Sequence, residues 1–279
     1  MTGIFCNRSS GNGKGLKMAR GLLARMGPDA ELYDTDWPET LDGLKEAWIV
    51  GGDGTVCFFL NRYPDHALPV MIFPGGTGND IHWKLYGSLA VDAQFEQRTS
   101  FKTVPVDRWL CNGRAFVNGV GLGFDGEVLR SMQTIRLFGG HLGYLLVVIR
   151  QIFSFREPKF RITAGGKTTE ARFMLLSLAN SSRTGGGFHV SPLADLHDGL
   201  LDMVRCKPLP VWKRLQVLPL VEKGKHLQLP FVEHSRVTEI LVETELEIYG
   251  QLDGELIRGC RFDLRKSAKP LWVRCPAGA

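Results

Sequence analysis

The chain has 279 residues, 44% of them apolar, which is enough to bury one large core or two modest ones. Charged residues make up 23%, a globular value that excludes a disordered chain, and the net charge of +5 is scattered rather than run together. That mild surplus suits phosphate-bearing ligands or an anionic membrane surface, while no Lys/Arg cluster interleaved with aromatics points to nucleic acid. Six cysteines lie far apart without a CxxC pair, so they read as reduced thiols of a cytosolic protein, not a disulfide framework or zinc site. The start, Met-Thr-Gly followed by a short strand, shows no secretory pattern. The longest apolar stretch, 142–155, is broken by Arg150 and is too short to span a bilayer, so a cytoplasmic protein able to touch a membrane surface is expected.

Taken in chain order, the first hundred residues alternate strand and helix. Residues 3–6 read as an apolar strand, 7–15 as a polar Gly/Ser loop, and Leu16, Ala19, Leu22, Leu23 and Met26 recur at helical spacing. Strands follow at 30–33 and 46–50, a helix at 55–62, a strand at 68–73, and a further helix beginning near Asn79. Strand, glycine loop, helix, repeated, is the pattern of an open parallel sheet, whose ligands bind beyond the carboxyl ends of the strands. After residue 103 the pattern changes. Apart from apolar helical regions at 126–155 and 210–221, it shows short strands with turn signals: 159–164, 169–179, 200–206, 237–242, 246–252 and 255–264. The expectation is an α/β domain over 1–106, rejoined by 268–279 through a final strand, and a largely antiparallel β domain over 107–267.

Several glycine-dense strings carry the candidate chemistry. Gly51-Gly52-Asp53-Gly54-Thr55 follows a strand and opens a helix; it lacks GK[ST], so it is not a Walker A loop, and a tight βα turn also explains it. Asn7-Arg8-Ser9-Ser10-Gly11-Asn12-Gly13-Lys14 combines small hydroxyls, a potential nest of amides and a lysine. In Pro74-Gly75-Gly76-Thr77-Gly78-Asn79-Asp80, Thr77 offers a hydroxyl and Asn79-Asp80 stand at a helix start, where N-capping is the simpler role. Residues 116–125 form another glycine-dense turn, and Asp107 lies near the domain junction. His197-Asp198-Gly199-Leu200 can present a carboxylate and carbonyls to a hard cation, or be an Asp-Gly turn. Leu252-Asp253-Gly254-Glu255 reads as a hairpin, with Glu255 placed as a general base if its tip faces a substrate. The seven histidines show no metal-ligand spacing, and Ser181-Ser182 lacks the GxSxG context of a serine hydrolase.

In this order and spacing, the Asn-x-x-Ser-Gly loop, GGDGT, PGGTGND, an Asp before a glycine-rich Asn-Gly turn, DGLLD and DGE resemble the diacylglycerol kinase catalytic domain family. That family includes bacterial diacylglycerol kinases, YegS-type lipid kinases, and sphingosine and ceramide kinases. The resemblance runs from Ile4 to about Leu264 and is most specific at PGGTGND and LDGE. It implies an amino-terminal α/β nucleotide-binding domain of the NAD kinase and diacylglycerol kinase type, a carboxyl-terminal antiparallel β-sandwich, and an active site between them. ATP is then expected along Asn7, Arg8, Ser9, Ser10, Gly11, Thr35, Gly52, Asp53, Gly54, Thr55 and Thr77. The acidic catalytic positions match Asp53, Asp80 and Asp107, and the proton acceptor matches Glu255. A structural Mg²⁺ site matches Asp198 with backbone oxygens near Asp195 and Leu200.

The implied activity is ATP-dependent phosphorylation of a diacylglycerol-like lipid at a membrane surface, with no nucleic-acid partner and a homodimer admissible. The apolar stretch 137–155 is either an acyl entrance beside the membrane or an ordinary buried helix. Departures occur at Arg8, which replaces a proline, and at Cys57 and Phe58, which replace an Asn-Glu pair; Asn61 keeps a later asparagine. The alternatives are an NAD kinase, which shares GGDGT but not PGGTGND or LDGE, and a non-catalytic nucleotide- or lipid-binding protein on the same scaffold.

Overall fold

The computed structural model describes residues 1–134 and 141–278, and these divide into two compact units, Met1–Arg108 with Ser267–Ala279, and Trp109–Lys266. Each is built on its own sheet.

The first unit contains strands β1 (Thr2–Cys6), β2 (Ala30–Tyr33), β3 (Glu46–Gly51), β4 (Val70–Pro74) and β5 (Lys102–Val106). Its helices are α1 (Lys14–Met26), α2 (Asp53–Arg62), α3 (Asp80–Tyr86) and α4 (Val91–Gln97). The second unit contains β6 (Trp109–Cys111), β7 (Arg114–Phe116), β8 (Gly119–Gly123), α5 (Phe124–Thr134), α6 (His141–Ser154), β9 (Lys159–Ala164), β10 (Lys167–Arg172), β11 (Leu175–Ala179) and β12 (Leu201–Cys206). It continues with α7 (Val211–Glu222), β13 (Val232–Val237), β14 (Glu239–Leu252) and β15 (Glu255–Lys266), after which β16 (Leu271–Cys275) returns to the first unit.

In the first unit the strand order is β2-β1-β3-β4-β16-β5. Every pair is parallel except β16 with β5. Residues 46–51 and 70–74 form nearly continuous apolar runs because both faces of a parallel sheet are covered by helices. Ile4, Phe5, Trp48, Ile49, Val50, Met71, Ile72 and Phe73 are accordingly sealed from solvent. The returning strand is tied in from several sides. Tyr86 donates from its hydroxyl to the Arg274 carbonyl at 2.7 Å and accepts from the Ile72 amide at 3.2 Å. Arg274 pairs with Glu46 at 2.6 Å.

The second unit is antiparallel throughout, in the order β13-β12-β11-β8-β14-β15-β6-β7, with β9 joining β14 to β10. The long hairpin β14–β15 is its spine: β14 pairs with β9 through residues 241–244 and with β8 through residues 250–252, and its register with β15 shifts between Glu243 and Ile248. Helices α5, α6 and α7 pack on this sheet through a cluster of Phe124, Val128, Val147, Val148, Ile152 and Phe155. The α/β unit and the antiparallel unit are the two fold types that the sequence pattern calls for.

Three local expectations are corrected. The glycine-dense segment at 116–125 is not a turn: residues 119–123 form the buried strand β8. Glycine is needed there because a Cβ on Gly119 would meet the Leu178 carbonyl at 2.8 Å and one on Gly121 would meet the Asp125 carboxylate at 2.3 Å. Residues 169–179 are two strands, because β10 pairs with β9 whereas β11 pairs with β8 and β12. Conversely, 239–242 and 246–252 lie within one continuous strand, β14, with residue 237 ending β13 and residue 238 between them. The apolar region 126–155 is helical where described, in α5 and α6, and residues 135–140 and the side chains of Leu142 and Leu145 lie outside the described residues. Among the described residues no helix is long and apolar enough to cross a membrane.

Candidate active site

In the first unit the three glycine loops following β1, β3 and β4 lie at the carboxyl ends of adjacent parallel strands. They pack backbone against backbone. A Cβ on Gly11 (φ +57°) would sit 2.4 Å from the Gly75 carbonyl oxygen, and one on Gly76 would sit 2.4 Å from the Gly52 Cα. One on Gly75 would meet both Gly15 and Gly51 at 3.0 Å. The loops are further joined where the Gly75 amide donates to the Gly51 carbonyl at 2.9 Å. Glycines legible as room for a ligand are thus also what lets three loops assemble into one rim. Gly51 carries a separate constraint, since a Cβ there would overlap the Thr55 side chain, Oγ1 lying at 2.2 Å.

Asp53 connects two of these loops. Its Oδ2 accepts from the Asp80 amide at 3.1 Å and its Oδ1 from the Ile81 amide at 2.9 Å, so the carboxylate of the GGDGT loop caps the first turn of α3. Asn79, one of the two residues expected to cap, adopts a left-handed conformation (φ 52°) with no side-chain capping bond. Its side chain turns back on the loop, with Oδ1 accepting from the Gly76 amide at 2.8 Å and Nδ2 donating to the Gly76 carbonyl at 2.9 Å. Asp80 and Asp107 are buried; Thr55 is buried in α2, whereas Thr77 is exposed on the rim.

The first loop holds itself. Asn7 Oδ1 accepts from the Ser9 amide at 3.0 Å and the Ser9 hydroxyl at 2.7 Å, and residues 11–13 all have positive φ. Asn7, Arg8 and Ser9 are exposed, and Ser10 and Gly11 half-buried. Arg8 donates to Asp34 at 3.1 Å, and the Thr35 hydroxyl donates to the same carboxylate oxygen at 3.3 Å. The guanidinium holds the Asp34 carboxyl below its ordinary range. The two other departures have distinct environments. Cys57 is buried and its carbonyl accepts from Asn61 Nδ2 at 2.8 Å, while Phe58 is exposed and meets Trp37 edge-on at 5.0 Å between centroids.

In the second unit Glu255 opens β15 immediately after the turn formed by Asp253 (φ 47°) and Gly254 (φ 81°), a two-residue hairpin with both central residues left-handed. Glu255 is half-exposed and ion-pairs with Arg114. The turn is fixed by Asp253, whose buried carboxylate accepts from the amides of Val117 (2.8 Å), Asn118 (2.9 Å) and Gly119 (2.9 Å). In the sequence Asp253 reads only as part of the hairpin turn, without this amide-binding role, and Arg114 carries no signal. The left-handed Asp-Gly turn is the signal that could have flagged Asp253, but Arg114 lies 141 positions from Glu255 and had none.

Asp195 and Asp198 form consecutive side-chain turns, accepting from the His197 and Leu200 amides, both at 2.9 Å. Arg236 lies 3.8 Å from Asp198 Oδ2, beyond hydrogen-bond reach. The Asp198 carboxylate is a hard-oxygen donor of the kind a hard cation takes, though the Arg236 guanidinium already faces it. Among the described residues no group of three or more His, Cys, Asp or Glu side chains gathers around one point, so such an ion would draw mostly on main-chain oxygen and water.

Comparison with known proteins agrees with these two halves. A model of the diacylglycerol kinase catalytic domain matches residues 2–109, and one of the YegS C-terminal NAD kinase beta sandwich-like domain matches residues 118–271. A diacylglycerol kinase of Mycobacterium tuberculosis is 28% identical, covering 95% of this chain and 91% of its own length. A Pseudomonas aeruginosa protein described as "Probable lipid kinase YegS-like" is 29% identical over 82% of this chain and 76% of its own. A solved diacylglycerol kinase structure from Bacillus anthracis superimposes with a TM-score of 0.71 at 20% identity, covering 99% of this chain and 97% of that one.

Proposed function

We propose that this chain, which belongs to the family of diacylglycerol kinases and YegS-type lipid kinases, transfers the γ-phosphoryl group of ATP to a hydroxyl of a diacylglycerol-like lipid. The observation that carries the reading is the rim of three glycine loops packed on one another at the carboxyl ends of β1, β3 and β4.

Phosphoryl transfer asks chiefly for positioning and for neutralisation of charge on the equatorial oxygens. The rim's amides and the exposed Thr77, Asn7 and Ser9 would take the phosphates. Asp53, by capping α3, keeps the GGDGT and PGGTGND loops in register, and with the buried Asp80 it makes that end of the unit acidic; Asp107 follows β5, whose antiparallel pairing with β16 sets it at the opposite, amino edge of the sheet. A Mg²⁺ bound with the nucleotide near Asp53 or Asp80 would neutralise charge on the phosphate oxygens. Asp198 with main-chain oxygen near Asp195 and Leu200 would hold a second, structural ion in the other unit. Glu255 would accept the acceptor hydroxyl's proton as its oxygen attacks phosphorus, with Arg114 orienting the carboxylate. The retained acidic positions favour this reading over a non-catalytic scaffold.

The test is incubation with isotopically labelled ATP and a mixed lipid extract, read by mass spectrometry. A labelled phospholipid monoester is expected. Labelled NADP formed in preference from added NAD, or bound nucleotide with no phosphorylated product across the extract, would replace this reading.

A further inference from the structure

The outward faces of α6 and α7 are apolar where water-facing helices are ordinarily polar. On α6, Leu146 and Phe153 are 59% and 62% exposed, and with Ile149 and Arg150 they follow the i, i+3, i+4, i+7 spacing of one helical stripe. The opposite face, Val147, Val148 and Ile152, is the one buried in the core. On α7, Trp212 is 58% exposed and Leu215 38%, and with Gln216 and Pro219 they repeat the same spacing. The two helices are locked together: buried Arg214 donates from Nη1 to the carbonyls of Ile152 (3.0 Å) and Phe155 (3.1 Å) and pairs with Glu157 at 2.5 Å. Val211 and Leu218 pack into the α6 cluster.

The charge around these stripes is mostly positive. Residues 141–156 contain Arg150 and Arg156 and no acid, and residues 207–225 contain Lys207, Lys213, Arg214, Lys223 and Lys225 against Glu222 alone. Beside the start of α7 lies an open groove of about 490 Å³ lined by Arg172, Phe173, Arg205, Lys207 and Glu233 among others. Glu233 pairs with Arg205 (3.1 Å) and Lys207 (2.9 Å), which leaves a net positive groove. Arg205 Nε is buried there without an acceptor among the described residues.

We propose that α6 and α7 form the face by which this protein docks on an anionic bilayer. Leu146, Phe153, Trp212 and Leu215 enter the interface between headgroups and acyl chains, and the basic rim and groove take lipid phosphates. Exposed Trp beside Lys, the Lys213 ammonium lying 5.6 Å from the Trp212 ring, is the pairing that an interfacial depth favours. The choice of a bilayer over a protein partner rests on the lipid-kinase reading, but the test needs no turnover.

The experiment is flotation of the whole chain with phosphatidylcholine vesicles, with and without phosphatidylglycerol. The wild type should float with the anionic vesicles and less so as salt is raised. Trp212→Ala/Leu215→Ser and Leu146→Ser/Phe153→Ser should each lower partitioning by about tenfold or more, since each removes two large apolar contacts. Their melting should be unchanged, and the α7 pair should keep wild-type turnover on a water-soluble short-chain acceptor. A wild type that stays with the soluble fraction, or variants that float as well as it does, would overturn the proposal. So would a lipid-free dimer that the variants dissociate, which would assign the face to a second copy. Release by inorganic phosphate but not by chloride of equal ionic strength would assign the groove to the free ion. Flotation as expected without any product in the kinase assay would leave the docking face standing and remove the kinase reading alone.

Discussion

Asp125 illustrates how burial sets the behaviour of one carboxyl group. It stands in the first turn of α5, with Oδ2 shut away from solvent and no hydrogen-bond partner among the described residues. Burial raises its pKa from 3.8 to about 6. The folded chain therefore holds this proton to a higher pH than the unfolded chain does. The group weakens the fold progressively as pH rises from about 4 to about 6 and by a constant amount above that, of the order of 2–3 kcal/mol. Asp125→Asn is expected to raise stability at pH 7.5 and to leave it nearly unchanged at pH 3.5, as read by urea denaturation at both values. An equal change at the two pH values would mean that ionisation is not the source. Asp253 is the contrasting case. It is equally hidden but receives three amides, which is why a carboxylate can be tolerated at that turn.

At the scale of elements, the glycine rim makes a sharp demand. A methyl on Gly76 would overlap the Gly52 backbone, which has no side chain to rotate away. Gly76→Ala should cost about 1–3 kcal/mol of stability in the first unit and weaken ATP binding by about tenfold or more, measured by calorimetric titration. Unchanged affinity would mean that the contact between the GGDGT and PGGTGND loops does not shape the nucleotide site. The central strands β3 and β4 were legible because they are buried on both faces and run into glycine, so hydrophobic run and turn residue mark the same boundary. The second unit was less so. Strand β8 carries glycine at alternate positions because the β11 backbone and the Asp125 carboxylate crowd it, and glycine in sequence speaks for turns. The break between β10 and β11 reflects a change of partner, not of composition, and nothing local announces it. The pairing of Arg114 with Glu255 and the capping of α3 by Asp53 are likewise tertiary, joining segments that are far apart in the chain.

For the molecule as a whole, the returning strand matters most to the first unit. β16 sits between β4 and β5, and Leu271, Val273 and Cys275 on it are fully buried. A chain ending at Lys266 leaves β5 without its partner and opens the Tyr86 and Arg274 contacts. It should lose nucleotide binding and cooperative melting of that unit, and retained ATP affinity would show that the first hundred residues fold without it. The claim on which the functional account turns is that Glu255 takes the proton from a lipid hydroxyl. Its ion pair with Arg114 is half-exposed, so replacing it should cost little stability. The direct measurement is turnover of Glu255→Gln on a diacylglycerol substrate, with ATP affinity determined in parallel. The account predicts a fall of about 10²–10⁴ in rate with nucleotide affinity preserved; wild-type turnover in that variant would contradict it.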